Sequence, residues 1–370
     1  MAKLDWNRIE KRLAQEGYTD ERILPLLHEI DEERTKKNAV ILAHYYQIAP
    51  IQLIADKIGD SLALAREAQK LAKEGKNGLI VSSTVEFMAE MVKMLNPQSK
   101  VVIPGLGAGC SIAEGMNAST VERIRDAYPH SAIVGYINSK AATLASYDSA
   151  CTSANAKEVV SRIDGEPVIL VPDYFLARNI IKTLPADGRT YYAYERTING
   201  HIVLHDPRTD ERVAIPLDGA AAPSRATGTC VVHEQFTPEQ VAFSRKKEKA
   251  DLVLAHPEVP PAVAAVSDYV GSTSGMIAQV AKTTAKRIMI LSECNLTAPL
   301  RDTYPDREFI TPCTLCPYMR KNTLDGLLAA LKEERYEITV PNDIAQGGRR
   351  AIEKMMELTS RKEMLVERYR

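Results

Sequence analysis

The sequence predicts an α/β fold built on parallel sheets, and three observations carry that expectation. Short, β-branched apolar runs alternate with amphipathic helical stretches from Val40 onward, as strand–crossover–strand units do. The residues just after each run are polar and unusual in type, in keeping with the rule that ligands gather beyond the carboxyl ends of parallel strands. The composition is that of a globular chain: 45% hydrophobic and 26% charged over 370 residues, enough for two or three domains.

In chain order, the first forty residues read as two helices, 5–16 and 20–37, the second with Leu24, Leu27 and Ile30 at helical spacing. Apolar runs follow at 39–43, 79–81, 100–103, 133–137, 168–171, 252–255, 269–270, 288–291 and 308–310, with helices at 62–73 and 276–282 among the stretches between them. Three blocks result, 1–117, 118–236 and 237–370, alike in pattern but not in sequence. The second block has a different texture over about 190–229. Its segment 191–216 alternates apolar and polar residues around Asn199-Gly200, which reads as an inserted β-hairpin or meander, and 220–229 reads as a flexible loop leading to Cys230.

The 47 basic and 48 acidic residues nearly cancel, leaving no overall field for nucleic acid or an anionic membrane. No apolar stretch approaches a membrane span, and the N-terminus lacks the apolar core of a signal peptide. A cytosolic chain acting on small molecules is the expectation. Its six cysteines then point to metal binding, redox chemistry or burial rather than to a disulfide framework.

The run ends deliver the candidate chemistry. Cys110 lies in Gly105-Leu106-Gly107-Ala108-Gly109-Cys110-Ser111, either a cradle of backbone amides for an anionic cluster or a glycine-rich turn with a packed thiol. Cys313-Thr314-Leu315-Cys316-Pro317 has a metal or redox spacing, and no second pair of cysteines stands near it to complete a structural zinc site. Cys230 stands 120 residues beyond Cys110 and 86 before Cys316, so a shared site requires separate blocks to converge. Cys151 and Cys294 read as packed thiols. His44-Tyr45-Tyr46 and Tyr136-Ile137-Asn138 close two strands as a site or as satisfied core residues. His256-Pro257-Glu258 offers an imidazole beside a carboxylate, or simply a turn. Gly271-Ser272-Thr273-Ser274-Gly275 and Gly59-Asp60-Ser61 read as anion cradles at helix N-termini or as plain N-caps.

Taken together, Ala43 to Gln47, Gly59 to Leu62, Val85 to Glu90, Gly109 to Ser111, Tyr136 to Asn138, Cys151 to Ala156, His256 to Glu258, Gly271 to Gly275 and Cys316 to Met319 resemble the quinolinate synthase family, in the family's order and over most of 41–331. The resemblance implies three three-layer αβα domains related by pseudo-threefold symmetry, with the active site and one [4Fe–4S] cluster at their junction. It implies Cys110, Cys230 and Cys316 as the three ligands, leaving one iron open as a Lewis acid for dehydration. Cys313 is then a second thiol that could pair with Cys316 on oxidation. The substrates implied are iminoaspartate and dihydroxyacetone phosphate, condensed to quinolinate for NAD biosynthesis, with transient contact to an L-aspartate oxidase as the source of the imine. The pocket would be lined by His44, Tyr46, Ser61, Tyr136, Asn138, Ser153, His256, Glu258, Ser272 and Thr273. Among these, Ser153, Ser272 and Thr273 suit anion binding, and Tyr46, Tyr136, His256 and Glu258 suit proton transfer.

Three departures stand out. Val231 follows Cys230 where many members have histidine, leaving His233 as the nearby imidazole. Val259 stands where a cysteine is common. The 191–229 region marks a longer form of the family. Two other classes fit less of the sequence: an aconitase-like hydro-lyase with three cysteines and an open iron, and a zinc-stabilised binding protein using Cys313 and Cys316. A radical-SAM enzyme would need a Cys-x3-Cys-x2-Cys run, which does not occur.

Overall fold

The structure, a computed structural model, describes residues 4–76 and 78–367, with side chains described through residue 359. Its frame is three sheets. The first holds β1 (Val40–His44), β2 (Lys57–Gly59), β3 (Leu79–Ser83) and β4 (Lys100–Val102), all parallel, in the order β2-β1-β3-β4. The second holds β5 (Ala132–Tyr136), β6 (Ser149–Cys151), β7 (Val168–Val171), β8 (Tyr191–Ile198), β9 (His201–His205) and β10 (Arg212–Pro216), in the order β10-β9-β8-β7-β5-β6. The third holds β11 (Leu252–Ala255), β12 (Tyr269–Val270), β13 (Arg287–Leu291) and β14 (Glu308–Ile310), in the order β12-β11-β13-β14. Each sheet thus carries the same sequence of neighbours: second strand, first strand, third strand, fourth strand. An α/β architecture with three parallel-rich sheets is what the alternating pattern implied.

The chain forms two compact units. One comprises Met1–Gly109, Ala242–Leu254 and Ile277–Val340, the other Cys110–Val241, Ala255–Met276 and Pro341–Arg370. In the first unit, the N-terminal helices Trp6–Gln15 and Ile23–Lys36 cover the first sheet. Ile9, Leu13, Leu27 and Ile30 share a core with Ile41, Ala43, Val81 and Val102 of the strands and with Leu327 and Leu331 of helix Leu324–Glu333. Asp5 and Asp60 cap their helices by accepting from Arg8 N (3.1 Å) and Ala63 N (2.9 Å), satisfying backbone donors that the helices leave unpaired.

The second unit revises the reading of 191–216. β8 pairs in parallel with β7, through Val168↔Tyr191 to Leu170↔Ala193, so it is the fourth strand of this sheet and not part of an insertion. Its first half is buried on both faces, as an interior parallel strand is. Only β9 and β10 are added, as an antiparallel meander. The turn from β8 to β9 places Asn199 and Gly200 at positive φ (51° and 71°), the conformation that an Asn-Gly hairpin turn requires. Two short strands, β2 and β6, went unread in the sequence. Lys57–Gly59 and Ser149–Cys151 hold polar and small residues in place of a run of bulky apolar ones, and each gains its identity by pairing with the strand beside it. Among the described residues no helix is long and apolar enough to cross a membrane.

Candidate active site

The common strand order gives the motifs a common position. The first strands of the three sheets end on His44 and lead to Tyr46, end on Tyr136 and lead to Asn138, and lead to His256 and Glu258. Ser61, Ser153 and Ser272 each stand two residues beyond the end of a second strand, at Gly59, Cys151 and Val270. Asp173 and Glu293 each stand two residues beyond the end of a third strand, at Val171 and Leu291. With the order second-first-third, the crevice between the first and third strands is a topological switch point, where α/β sheets bind ligands.

In the second unit these positions form a buried network. The Tyr136 hydroxyl donates to Glu258 Oε1 at 2.6 Å, and Ser153 also hydrogen-bonds it. His233 Nδ1 lies 2.7 Å from Glu258 Oε2, and the His233 and His256 rings stack at 4.6 Å between centroids. The Glu258 backbone N–H donates to His256 Nδ1 at 3.4 Å. Tyr136, His233, His256 and Glu258 are all at most 4% exposed. Burial alone raises the Glu258 carboxyl, but His256, His233 and the Tyr136 hydroxyl outweigh it and hold the group below the usual carboxylate range. Burial and the Glu258 charge hold the Tyr136 phenol well above its ordinary value. They act in the same direction on Asp173, whose Oδ1 accepts from Leu176 N at 2.8 Å while its Oδ2 is buried without a hydrogen-bond partner. One ionised carboxylate therefore sits among groups that keep their protons. His233 earned little weight in the sequence because nothing there showed that it would face Glu258. Asp173 was visible only as a polar residue after a strand.

The loops carrying Cys110 and Cys230 are joined through Ser111. Its hydroxyl donates to Thr229 O at 2.9 Å and accepts from Val231 N at 3.1 Å, so the neighbour of one cysteine bonds both neighbours of the other. The 220–229 segment has no regular structure, as read, but it is tied down. Asn117 Nδ2 donates to Ala221 O, Arg225 N donates to Glu114 O (both 3.0 Å), and Gly228 packs so closely on Gly115 and Pro172 that neither glycine has room for a Cβ. Ser272 is a helix cap: its Oγ accepts from Gly275 N at 3.0 Å, ahead of helix Thr273–Lys282, and Ser272 and Thr273 are buried. Asn138 Oδ1 is also buried without a partner.

In the first unit, Tyr46 N donates to His44 Nδ1 at 3.2 Å and the two rings meet edge-on, 4.4 Å apart. Tyr46 Oη hydrogen-bonds Ser292 Oγ at 2.9 Å. Glu293, 0% exposed, has its carboxyl pushed up to about 7 by burial, against donation from Asn295 N (2.7 Å), Asn295 Nδ2 (2.9 Å) and Cys316 N (3.4 Å).

The cysteine pairing differs from the expectation. Cys313 is disulfide-bonded to Cys294, not to Cys316. A parallel bridge between Glu293 and Thr314 runs the two segments side by side, and Cys294 N donates to Thr314 O at 3.2 Å. That leaves the Cα atoms of 294 and 313 at 5.2 Å, within disulfide reach. Cys294 is thus no simple packed thiol. Cys151 is one: it is 0% exposed and burial pushes its thiol well up. Cys110, Cys230 and Cys316 stand outside the disulfide and are half-buried. Each of these three is neither sealed in a core nor joined in a disulfide, so each thiol is chemically able to serve as a cluster ligand. The chemistry open to Cys230 is also broader: its Sγ, a ring nitrogen of His233 and a carboxylate oxygen of Glu258 all lie within 4.8 Å of one another.

Comparison with known proteins agrees with the geometry. The family model described as "Quinolinate synthetase A protein" matches residues 28–357. A quinolinate synthase of Xylella fastidiosa (strain 9a5c) is 39% identical over 328 residues, covering 88% of this chain and 85% of the relative. One from Agrobacterium fabrum is 37% identical over 328 residues (88% and 84% covered), and one from Caldicellulosiruptor saccharolyticus 34% over 333 residues (90% and 97% covered). The chain belongs to the quinolinate synthase family.

Proposed function

We propose that the chain is a cytosolic condensing transferase that joins iminoaspartate to dihydroxyacetone phosphate, with loss of phosphate and water, to give quinolinate for NAD biosynthesis. Family membership supports the reaction. The observation that carries the site is Glu258, a buried carboxylate kept ionised between Tyr136 and His233. Nothing in the fold or the comparisons favours an aconitase-like hydro-lyase.

Cys110, Cys230 and Cys316 are the residues that would hold one [4Fe–4S] cluster. When bound, it supplies an iron with an open coordination position, a Lewis acid for dehydration. The chain's own groups do the rest. Ionised Glu258 takes up the proton released as the new carbon–carbon bond forms, and His256 is placed to pass it on. Tyr136, hydrogen-bonded to Glu258 and Ser153, gives a proton to a departing hydroxyl and recovers it through Glu258. Tyr46, with Ser292 behind it, serves a second proton transfer. His44 and Asn138 orient the substrate's polar groups, and Ser61, Ser153, Ser272 and Thr273 offer hydroxyls to its carboxylates and phosphate. Ser272 Oγ accepts from Gly275 N, which leaves its own O–H to donate. A transient contact with an L-aspartate oxidase would deliver the unstable imine.

The test is product formation. Anaerobically purified protein given both substrates is expected to make quinolinate, and Glu258→Gln to lower kcat about 10²–10⁴-fold. Iron-loaded protein that consumes neither substrate would overturn the reading.

A further inference from the structure

The buried network around Glu258 gathers three metal-type donors within one unit, and two of the three proposed cluster cysteines are not among them. Cys230 Sγ, a His233 ring nitrogen and a Glu258 carboxylate oxygen converge within 4.8 Å of one another. A four-coordinate zinc ion keeps neighbouring N, O and S ligands about 3.3–3.7 Å apart, so side-chain shifts of about 1 Å, with the 2.7 Å His233–Glu258 hydrogen bond opened, would bring the three donors onto one ion. Thiolate, imidazole and carboxylate are also the ligand types that borderline divalent ions take, with one position left for water.

Two features make the set more than a chance cluster. First, the carboxylate is already oriented. Tyr136 Oη donates to Oε1 at 2.6 Å, leaving Oε2 as the oxygen beside His233, 2.7 Å from Nδ1. A hydrogen-bonded carboxylate with one oxygen committed is the arrangement that supporting residues give to metal ligands. Second, charge balances. A Cys230 thiolate and a Glu258 carboxylate cancel a dication beside a neutral imidazole, and a neutral assembly is what a site at most 3% exposed at His233 and Glu258 tolerates.

We propose that Cys230, His233 and Glu258 form a mononuclear site for a divalent ion of the zinc type when the chain lacks its cluster. On binding, the Cys230 S–H bond breaks, the proton goes to solvent, and a sulfur–metal bond forms. His233 binds through an unprotonated ring nitrogen, any proton displaced from it also goes to solvent, and no electron is transferred. The site depends on these three side chains and not on the cluster. If Cys230 is also a cluster ligand, as proposed above, the ion and the cluster exclude one another, and a zinc-loaded chain resists cluster assembly.

The test uses the full chain, stripped of iron by chelation, reduced, and titrated anaerobically with Co²⁺. The expected result is a thiolate-to-cobalt charge-transfer band that saturates at one ion per chain and is abolished by Zn²⁺. Cys230→Ser removes the band. His233→Gln and Glu258→Gln each weaken binding at least about tenfold, and Tyr136→Phe about tenfold through the orientation of Glu258. Cys110→Ser and Cys316→Ser leave stoichiometry and affinity unchanged, with circular dichroism confirming that each variant is folded. Loss of the cobalt band in Cys110→Ser or Cys316→Ser would assign the ion to the cluster thiols and overturn the proposal, as would a titration with no thiolate band. A chain that binds Co²⁺ in this pattern yet never assembles a cluster would keep this inference and defeat the cluster reading.

Discussion

Replacing Tyr136 by phenylalanine removes one oxygen atom and leaves the ring in place. The lost group is the donor to Glu258 Oε1 at 2.6 Å, between side chains at most 4% exposed. A hydrogen bond to a charged group contributes about 1.5–3 kcal/mol, and the buried site has no bulk water to replace it. For 370 residues the unfolding entropy is about 0.8 kcal/mol/K, so the melting temperature should fall by about 2–4 °C if the chain unfolds as one unit. The pH dependence follows from the depressed Glu258 carboxyl. A lowered folded value contributes stability that is fully present above the unfolded value, about 4.3, and is lost as pH falls through the folded one. The gap between parent and variant should therefore stay constant from about pH 6 to about pH 8 and narrow only in acid. Differential scanning fluorimetry across that range measures it. Equal melting temperatures at neutral pH, or a gap that opens only on acidification, would refute an ionised Glu258 held by Tyr136.

Other expectations concern packing and the cysteines. Ser111→Ala removes a donor and an acceptor at once and strands Thr229 O and Val231 N. It should cost about 1–3 kcal/mol and speed loss of iron to chelator, and unchanged chelation kinetics would contradict its role as the tie between the Cys110 and Cys230 loops. Gly135→Ala places a Cβ inside the Tyr147 ring, which Ser139 holds by a 2.9 Å hydrogen bond. Overpacking of about 3 kcal/mol or more is expected in urea unfolding, and a neutral outcome would show that Tyr147 moves freely. In the cluster-free protein, non-reducing peptide mapping should find Cys294 joined to Cys313, and iodoacetamide should label Cys110, Cys230 and Cys316 but spare Cys151. A Cys313–Cys316 link or a labelled Cys151 would contradict the cysteine assignments.

Much of the fold was legible because strand and helix periods differ. The runs at 168–171, 252–255, 269–270 and 308–310 coincide with β7, β11, β12 and β14. What failed did so for physical reasons. β2 and β6 lack a run of bulky apolar residues and exist by pairing, and β8 alternates enough to pass for a hairpin arm although it pairs in parallel with β7. The candidate residues stand out in the sequence by type, since His44, Tyr136, His256 and Glu258 lie at strand ends. Their relations do not. That His233 faces Glu258, that Ser111 bonds both flanks of Cys230, and that Cys313 pairs with Cys294 are long-range contacts, and spacing along one chain carries no such information. The like placement of Ser61, Ser153 and Ser272 became visible only when the three sheets were found to share one strand order.

The central claim is that three cysteines, and only those three, hold a cluster on which quinolinate formation depends. The most direct measurement is iron and acid-labile sulfide per chain after anaerobic reconstitution, read beside the visible spectrum, for the parent and for each single Cys→Ser variant. Four irons and four sulfides per chain in the parent, in Cys151→Ser and in Cys294→Ser, with loss in Cys110→Ser, Cys230→Ser and Cys316→Ser, is the result predicted. A colourless parent without iron, or a full cluster in any of those last three variants, would contradict it.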